Sequence, residues 1–246
     1  MNEIHHIPPK QPSVASPRGG TRAWAGPARA RPMTVAMSNA FTLDEGVSRL
    51  GVALSDGGIE TLARYLALLA KWNRTYNLTA IREPEKMITH HALDSLAVVP
   101  HLPVRAGLRV LDVGSGGGLP GIPIAIARPD AKVVLVDANA KKATFLAQAA
   151  IEVPVGNVEA VGGRVEDYRP FAPFDVVVSR AFADLATFAK LARPHLAEGG
   201  VMLAMKGALP SDEIAALPAD VEVVSTTRLE VPRLEGERHL VVMRCR

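Results

Sequence analysis

Cysteine is almost missing from this chain: Cys245 is the only one, and it stands beside the C-terminus. A single thiol excludes a disulfide framework and a cysteine-built metal cluster, and it fits a reducing, cytoplasmic setting. No uninterrupted apolar run approaches the roughly 18 residues that a membrane crossing needs. No basic-apolar-small leader opens the chain either, so a soluble, unsecreted protein without a membrane partner is expected. Internal repeats are absent. A charge excess is also absent where it would matter. The whole chain carries +3, with a pI near 9.2. Residues 1–40, however, hold five bases (Lys10, Arg18, Arg22, Arg29, Arg31) against one acid (Glu3), leaving 23 basic and 24 acidic residues in 41–246. Global charge gives no support for nucleic-acid binding, so any such surface must be a local patch.

What is present is apolar content of 48%, enough for one substantial domain with an appendage. Residues 1–40 hold six prolines and no periodicity, which predicts a disordered, basic, proline-rich tail. An organellar transit peptide and a start at Met33 or Met37 are alternative readings of that segment. Thr42-Leu43-Asp44-Glu45 predicts a capping box opening a short helix that stops near Gly51. Apolar residues at helical spacing predict a second helix from Ser55 to Arg74, and Pro84 opens a third that Pro100 ends. After Arg109 the period changes to strand-helix alternation. Strands are expected at 109–113, 132–136, 157–161, 174–179 and 201–206, with helices at 119–128, 140–151 and 184–196. Val221–Val224 and His239–Met243 read as an antiparallel closing pair. The domain of 41–246 thus divides into a helical extension, 41–105, and a doubly wound α/β core, 106–246, with a mostly parallel seven-stranded sheet.

The most informative stretch is Leu111-Asp112-Val113-Gly114-Ser115-Gly116-Gly117-Gly118-Leu119-Pro120-Gly121. It sets a glycine-dense turn between an apolar strand and a helix, where backbone can approach a ligand and unpaired helix N–H groups point at it. The next strand ends in Asp137, placed to grip a ribose diol. Gly116-x-Gly118-x-x-Gly121 followed by Asp137 also fits the dinucleotide pattern, so a nicotinamide oxidoreductase stays open at this point. Asp112, two residues before the first glycine, favours S-adenosylmethionine, whose ammonium it can answer through the loop. The order hydrophobic-Asp-hydrophobic-Gly-x-Gly resembles motif I of class I methyltransferases. Lys71, Arg74, Arg82, Lys86 and His90 form either a phosphate-contacting patch or a wet helix face. His90 and Asp94, spaced i, i+4, read as a helix-surface hydrogen bond or a core-edge pair.

Four motifs occur in one order: Lys71-Trp72-Asn73-Arg74-Thr75-Tyr76-Asn77-Leu78-Thr79-Ala80, His90-His91-Ala92-Leu93-Asp94-Ser95-Leu96, the Asp112-to-Gly121 loop, and Phe174-Asp175-Val176-Val177-Val178-Ser179-Arg180-Ala181. From about residue 41 onward the chain resembles the bacterial 16S ribosomal RNA guanine-N7 methyltransferase family, the glucose-inhibited division protein B group. The resemblance implies the class I S-adenosylmethionine-dependent, Rossmann-like fold. It also implies S-adenosyl-L-methionine as donor, and a guanine in the decoding-region loop of 16S rRNA, free or in the small ribosomal subunit, as target. A monomer is the working expectation. Carried over by position, the resemblance implies cofactor contacts at Gly114, Leu119, Asp137, Ala138, Asn139, Val165, Glu166 and Arg180. Glu166 read by itself is equally a solvated surface acid, and Phe182 either stacks on a base or joins the core. Arg180 suits the cofactor's carboxylate, a phosphate, or guanine O6 and N7. No acid, base, nucleophile or metal ligand is assigned, because guanine N7 exposes an in-plane lone pair with no proton to remove. A noncatalytic RNA-binding domain is the third reading.

Overall fold

The computed structural model describes residues 41–246, so the expected disordered tail lies outside the described residues. Helix α1 (Leu43–Leu50) starts as expected: the Thr42 hydroxyl accepts from the Glu45 N–H at 3.1 Å. Only half of the capping box forms, because the Glu45 carboxylate turns to Arg49 at 2.6 Å instead. Helix α2 (Gly58–Tyr76) begins three residues later than its apolar period suggests and buries Leu62, Tyr65, Leu66 and Leu69. Asn77, in the left-handed region at φ 52°, ends it. The third helical stretch, α3, runs through Pro84–Met87, Ile88–Leu93 and Asp94–Leu96. Its middle segment is widened to π geometry, a distortion that recurs at functional sites.

Seven strands follow: β1 (Arg109–Val113), β2 (Lys132–Asp137), β3 (Val158–Gly162), β4 (Phe174–Arg180), β5 (Leu196–Lys206), β6 (Val221–Arg228) and β7 (His239–Cys245). They lie in the order β3-β2-β1-β4-β5-β7-β6, parallel through β5, with β7 antiparallel to both β5 and β6. The expected closing pair is therefore present, with β7 inserted between β5 and β6. Helices α4 (Gly121–Ala127), α5 (Ala140–Glu152), α6 (Leu185–Ala192) and the short α7 (Ser211–Ala215) complete the set. The helix expected at 119–128 is shorter because Pro120 sits at its N-cap rather than inside its first turn.

Strand alternation distributes the side chains between two cores. Val110, Val133, Leu135, Val176, Val178 and Leu203 face α1–α5, where they join Leu62, Leu69, Leu93, Leu96, Ile122 and Phe145. Leu111, Val134, Val136, Val177 and Met202 face the other way, onto Leu185 and Phe188 of α6. With both faces covered, β2 and β4 carry unbroken apolar runs, Val133–Val136 and Val176–Val178, and β1 is apolar from Val110 to Val113 except at Asp112. The helical extension shares the first core with the sheet. The same alternation carries Asp112 and Arg180, at the C-terminal strand ends, onto the extension's side. β1 and β4 are neighbours although β2 and β3 lie between them in sequence. Their carboxyl ends frame the crevice where open α/β sheets bind ligands.

Candidate cofactor and substrate clefts

The loop after β1 is held from below by β2. The N–H groups of Gly114 and Ser115 both donate to the Val136 carbonyl, at 2.9 and 3.1 Å. Asp137, 7% exposed, accepts the Gly116 N–H on one oxygen and the Asn139 N–H on the other, each at 2.8 Å. The carboxylate expected to grip a ribose thus also fixes the loop, with its remaining lone pairs available. Asp112 is wholly buried, and one oxygen accepts the Gly121 N–H at 2.9 Å while Oδ1 has no partner. Burial pushes its carboxyl up to about 7, against the lowering effects of the Gly121 N–H, Ser115 and Arg180. Sequence reading missed Tyr65, whose buried hydroxyl donates to the Gly117 carbonyl at 2.6 Å and ties the extension to the loop. Burial raises its phenol well above the usual range.

A cleft of about 540 Å³ opens over the ends of β1 and β2. Gly114, Ala138, Val165 and Glu166 line it, together with Val136, Phe182 and Leu191. Asp137 and Asn139 flank Ala138 in the chain. Gly114 has φ 70°, and a Cβ there would stand 2.6 Å from the Phe182 ring. The φ value favours glycine at 114, and a side chain there would have to displace the exposed Phe182 ring. Val165 is fixed from behind by His195, a buried residue that sequence reading also missed, whose Nε2 donates to the Val165 carbonyl at 3.1 Å. Glu166 is exposed and paired with Arg164, so its side chain belongs to the rim. Leu119 stands apart: its side chain is 4% exposed in the first core, and its N–H bonds the Ser115 carbonyl.

Arg180 does not line this cleft. It faces α3, where Nη1 donates to the His90 carbonyl at 2.7 Å and to Asp94 Oδ2 at 3.0 Å. The Asp94 Oδ1 accepts from Arg238 Nε at 3.1 Å. His90 and Asp94 therefore make neither of the simple pairs expected of their i, i+4 spacing. The π turn widens the helix there, and the two arginines claim the carboxylate. These groups line a second cleft, of about 270 Å³, with Thr79, His91 and Lys206. His91 donates through Nδ1 to the His90 carbonyl and so accepts from the Thr79 hydroxyl at Nε2, 2.9 Å away. Burial lowers its pKa to about 4, which keeps it neutral at pH 7. Asn73 fixes the Thr79 turn by accepting from the Thr79 N–H and donating to the Ile81 carbonyl. That pair accounts for the Asn73 and Thr79 positions of the first motif. Of the expected basic patch, Arg82 bonds Asn77, Lys86 pairs with Glu83, and only His90 reaches the cleft.

The end of β4 contributes to both clefts. Ala181, at φ 52°, reverses the chain so that Arg180 lines one cleft and Phe182 the other. Such a conformation is uncommon for a residue other than glycine. Among the described residues no group of three or more His, Cys, Asp or Glu side chains is placed to hold a metal. No helix there is long and apolar enough to cross a membrane.

A seven-stranded sheet with one reversed strand, a glycine loop after β1 and an acid ending β2 define a class I methyltransferase fold. Solved structures agree. The O-methyltransferase TomG from Streptomyces achromogenes, in complex with SAM, matches with a TM-score of 0.52 at 18% identity, covering 82% of this chain and 96% of that one. The glycopeptide N-methyltransferase MtfA, also complexed with S-adenosyl-L-methionine, matches with a TM-score of 0.54 at 13% identity over 63% and 95%. The family model described as rRNA small subunit methyltransferase G matches residues 58–241, and the chain belongs to that family. Among its relatives are the ribosomal RNA small subunit methyltransferases G of Chromobacterium violaceum and Laribacter hongkongensis. The first is 53% identical over 82% of this chain and 95% of its own length, and the second 55% identical over 81% and 95%.

Proposed function

We propose that the protein transfers a methyl group from S-adenosylmethionine to N7 of a guanine in the 16S RNA of the small ribosomal subunit. The observation that carries this reading is that Arg180 and Phe182, one residue apart at the end of β4, line two different clefts, one suited to a donor and the other to an acceptor. Residues of the first cleft suit the donor. Val136, Val165, Phe182 and Leu191 offer apolar faces to an adenine, Glu166 at the rim offers an acceptor to an amine, and the bare Gly114 backbone permits close approach; Asp137, next to the lining residues Val136 and Ala138 in the chain, offers an acceptor to hydroxyl groups. The unpartnered Oδ1 of Asp112 is a buried acceptor in keeping with a cationic ligand above the loop. Backbone N–H groups of the loop are largely spent on Val136, Asp137 and Ser115, which disfavours a dinucleotide pyrophosphate.

When bound, the cofactor supplies an electrophilic methyl on a sulfonium. The protein's part is to orient the acceptor and exclude water. N7 carries no proton, so no side chain has to remove one, and alignment in a water-poor cleft supplies the rate. The sequence after β4, Ser179-Arg180-Ala181-Phe182, is suited to this. It places a cation and an aromatic at the end of β4, where enzymes that attack exocyclic amines commonly carry Asn-Pro-Pro-Tyr. The test is labelled-methyl mapping on 16S RNA purified from a strain lacking the protein. Incorporation at a single guanine, with the label at N7, is expected. Incorporation at an exocyclic amine or a ribose, or none with either free RNA or small subunits, would reject the assignment.

A further inference from the structure

Asp94 is the most unusual ionisable group outside the cofactor cleft. Its side chain is only 4% exposed, and each of its oxygens receives a different arginine, one from β4 and one from the loop before β7. The loop carrying Arg238 is closed at its base and held at its middle. The Leu229 N–H donates to the Arg238 carbonyl at 2.7 Å, and the Arg233 guanidinium lies 4.8 Å from the centre of the Phe41 ring. Two cations on one buried carboxylate leave one positive charge uncompensated. The other cation of the cleft, Lys206, is answered by Glu213 at 2.7 Å. The histidines His90 and His91 are both shifted toward the neutral form, chiefly by burial. The exposed acids Glu235 and Glu237 pair with neither arginine through their side chains. Arg238 uses Nε on Asp94 and Nη1 on the Glu237 carbonyl, and Nη2 has no acceptor among the described residues. Within the trio of Asp94, Arg180 and Arg238 the charge is +1, and an arginine that lines the cleft with a donor unused is suited to a phosphodiester.

Resting on the function proposed above, we infer that this second cleft seats the acceptor nucleotide, that Arg238 holds a phosphodiester of the RNA there, and that Asp94 is the positioning residue fixing Arg238 against Arg180. A phosphate is favoured over the base edge because a guanidinium on guanine O6 and N7 would occupy the lone pair that must attack the methyl. Arg180, on the opposite oxygen of Asp94, is the member of the trio nearest the cofactor cleft, two residues from Phe182. Asp94 therefore couples the arginine at the RNA side to the arginine at the donor side.

The test uses the full chain, a small-subunit RNA fragment carrying the target loop, salt titrations of RNA binding, calorimetry with S-adenosylhomocysteine, and single-turnover methyl transfer. Wild-type protein is measured first. Failure of the wild type to methylate both this RNA and small subunits would overturn the proposed function itself, independently of any variant. Given wild-type activity, R238Q should weaken RNA binding and reduce the slope of log affinity against log salt by about 0.7 to 0.9, the loss of one phosphate contact. Its S-adenosylhomocysteine affinity should stay within about twofold. R238K should retain the salt slope while transferring methyl more slowly than wild type. D94N removes a negative charge, so RNA affinity should hold or rise while methyl transfer falls at least tenfold, a split that loss of folding does not produce. An unchanged salt slope in R238Q would overturn the phosphate contact. Methyl transfer by folded D94N at the wild-type rate would overturn the positioning role, and should D94N fail to fold, the R238Q slope still decides the site.

Discussion

Replacing Asp112 by asparagine isolates the energetics of the most deeply buried acid. Its carboxyl is moved from 3.8 to about 7, chiefly by burial. The folded state thus holds a proton that the unfolded chain releases near pH 4. Because the folded pKa is the higher one, this group's stabilising contribution is complete below about pH 4 and is lost as pH rises through about 7. A shift of about 3 pH units corresponds to a loss on the order of 4 kcal/mol. An asparagine side chain has the same shape, keeps an oxygen for the Gly121 N–H, and does not titrate. The stability of Asp112→Asn relative to wild type should therefore climb by about 1.4 kcal/mol per pH unit from pH 5 to 6.5 and level off above pH 7. Urea unfolding at half-unit pH intervals measures the difference curve. A cationic ligand above the loop favours the ionised form, so calorimetry of S-adenosylmethionine at pH 6 in buffers of different ionisation enthalpy should register proton release. A pH-independent difference between the two proteins, or binding without proton release, would refute the argument.

Three further outcomes are expected. Gly114→Ala places a methyl 2.6 Å from the Phe182 ring on backbone at φ 70°, and should reduce S-adenosylhomocysteine affinity at least tenfold with the fold retained, checked by calorimetry and circular dichroism. Tyr65→Phe removes the donor to the Gly117 carbonyl and should cost about 1 to 2 kcal/mol in urea unfolding, with a larger loss of cofactor affinity than of stability if the bond shapes the loop. Asp137→Asn leaves one of two backbone donors facing an amide and should cost about 1 to 3 kcal/mol of stability together with weaker S-adenosylhomocysteine binding; unchanged affinity would remove Asp137 from the site.

The glycine loop, the acid at the end of β2 and the strand-helix alternation of an α/β sheet are legible in the sequence because each is local. Apolar runs bounded by turns specify strands, and a glycine cluster between strand and helix specifies the loop. Differences arise where a local rule meets a distant or competing partner. Glu45 pairs with Arg49 rather than with the Thr42 backbone. The i, i+4 reading of His90 and Asp94 assumes an α-helix, whereas α3 widens and Asp94 faces two arginines from remote segments. Arg180 stands at the end of β4 as expected, but strand alternation sends it toward the extension, away from the cleft that holds Gly114, Ala138, Val165 and Glu166. Leu119 neighbours the loop in sequence, yet its side chain lies in the first core.

By itself the sequence determined the elements, the glycine loop and the family, since periodicity, turn chemistry and motif order are properties of neighbouring residues. Only the tertiary structure decided which polar groups remain free to act. Whether Asp112 is charged depends on burial beneath α4, and whether Asp137 can serve a ligand depends on the loop N–H groups already bonded to it. The second cleft exists only because residues 94, 180 and 238, remote in sequence, converge on one carboxylate. Burial and hydrogen-bond occupancy are sums over everything that surrounds a group in space, and no short window of sequence contains them.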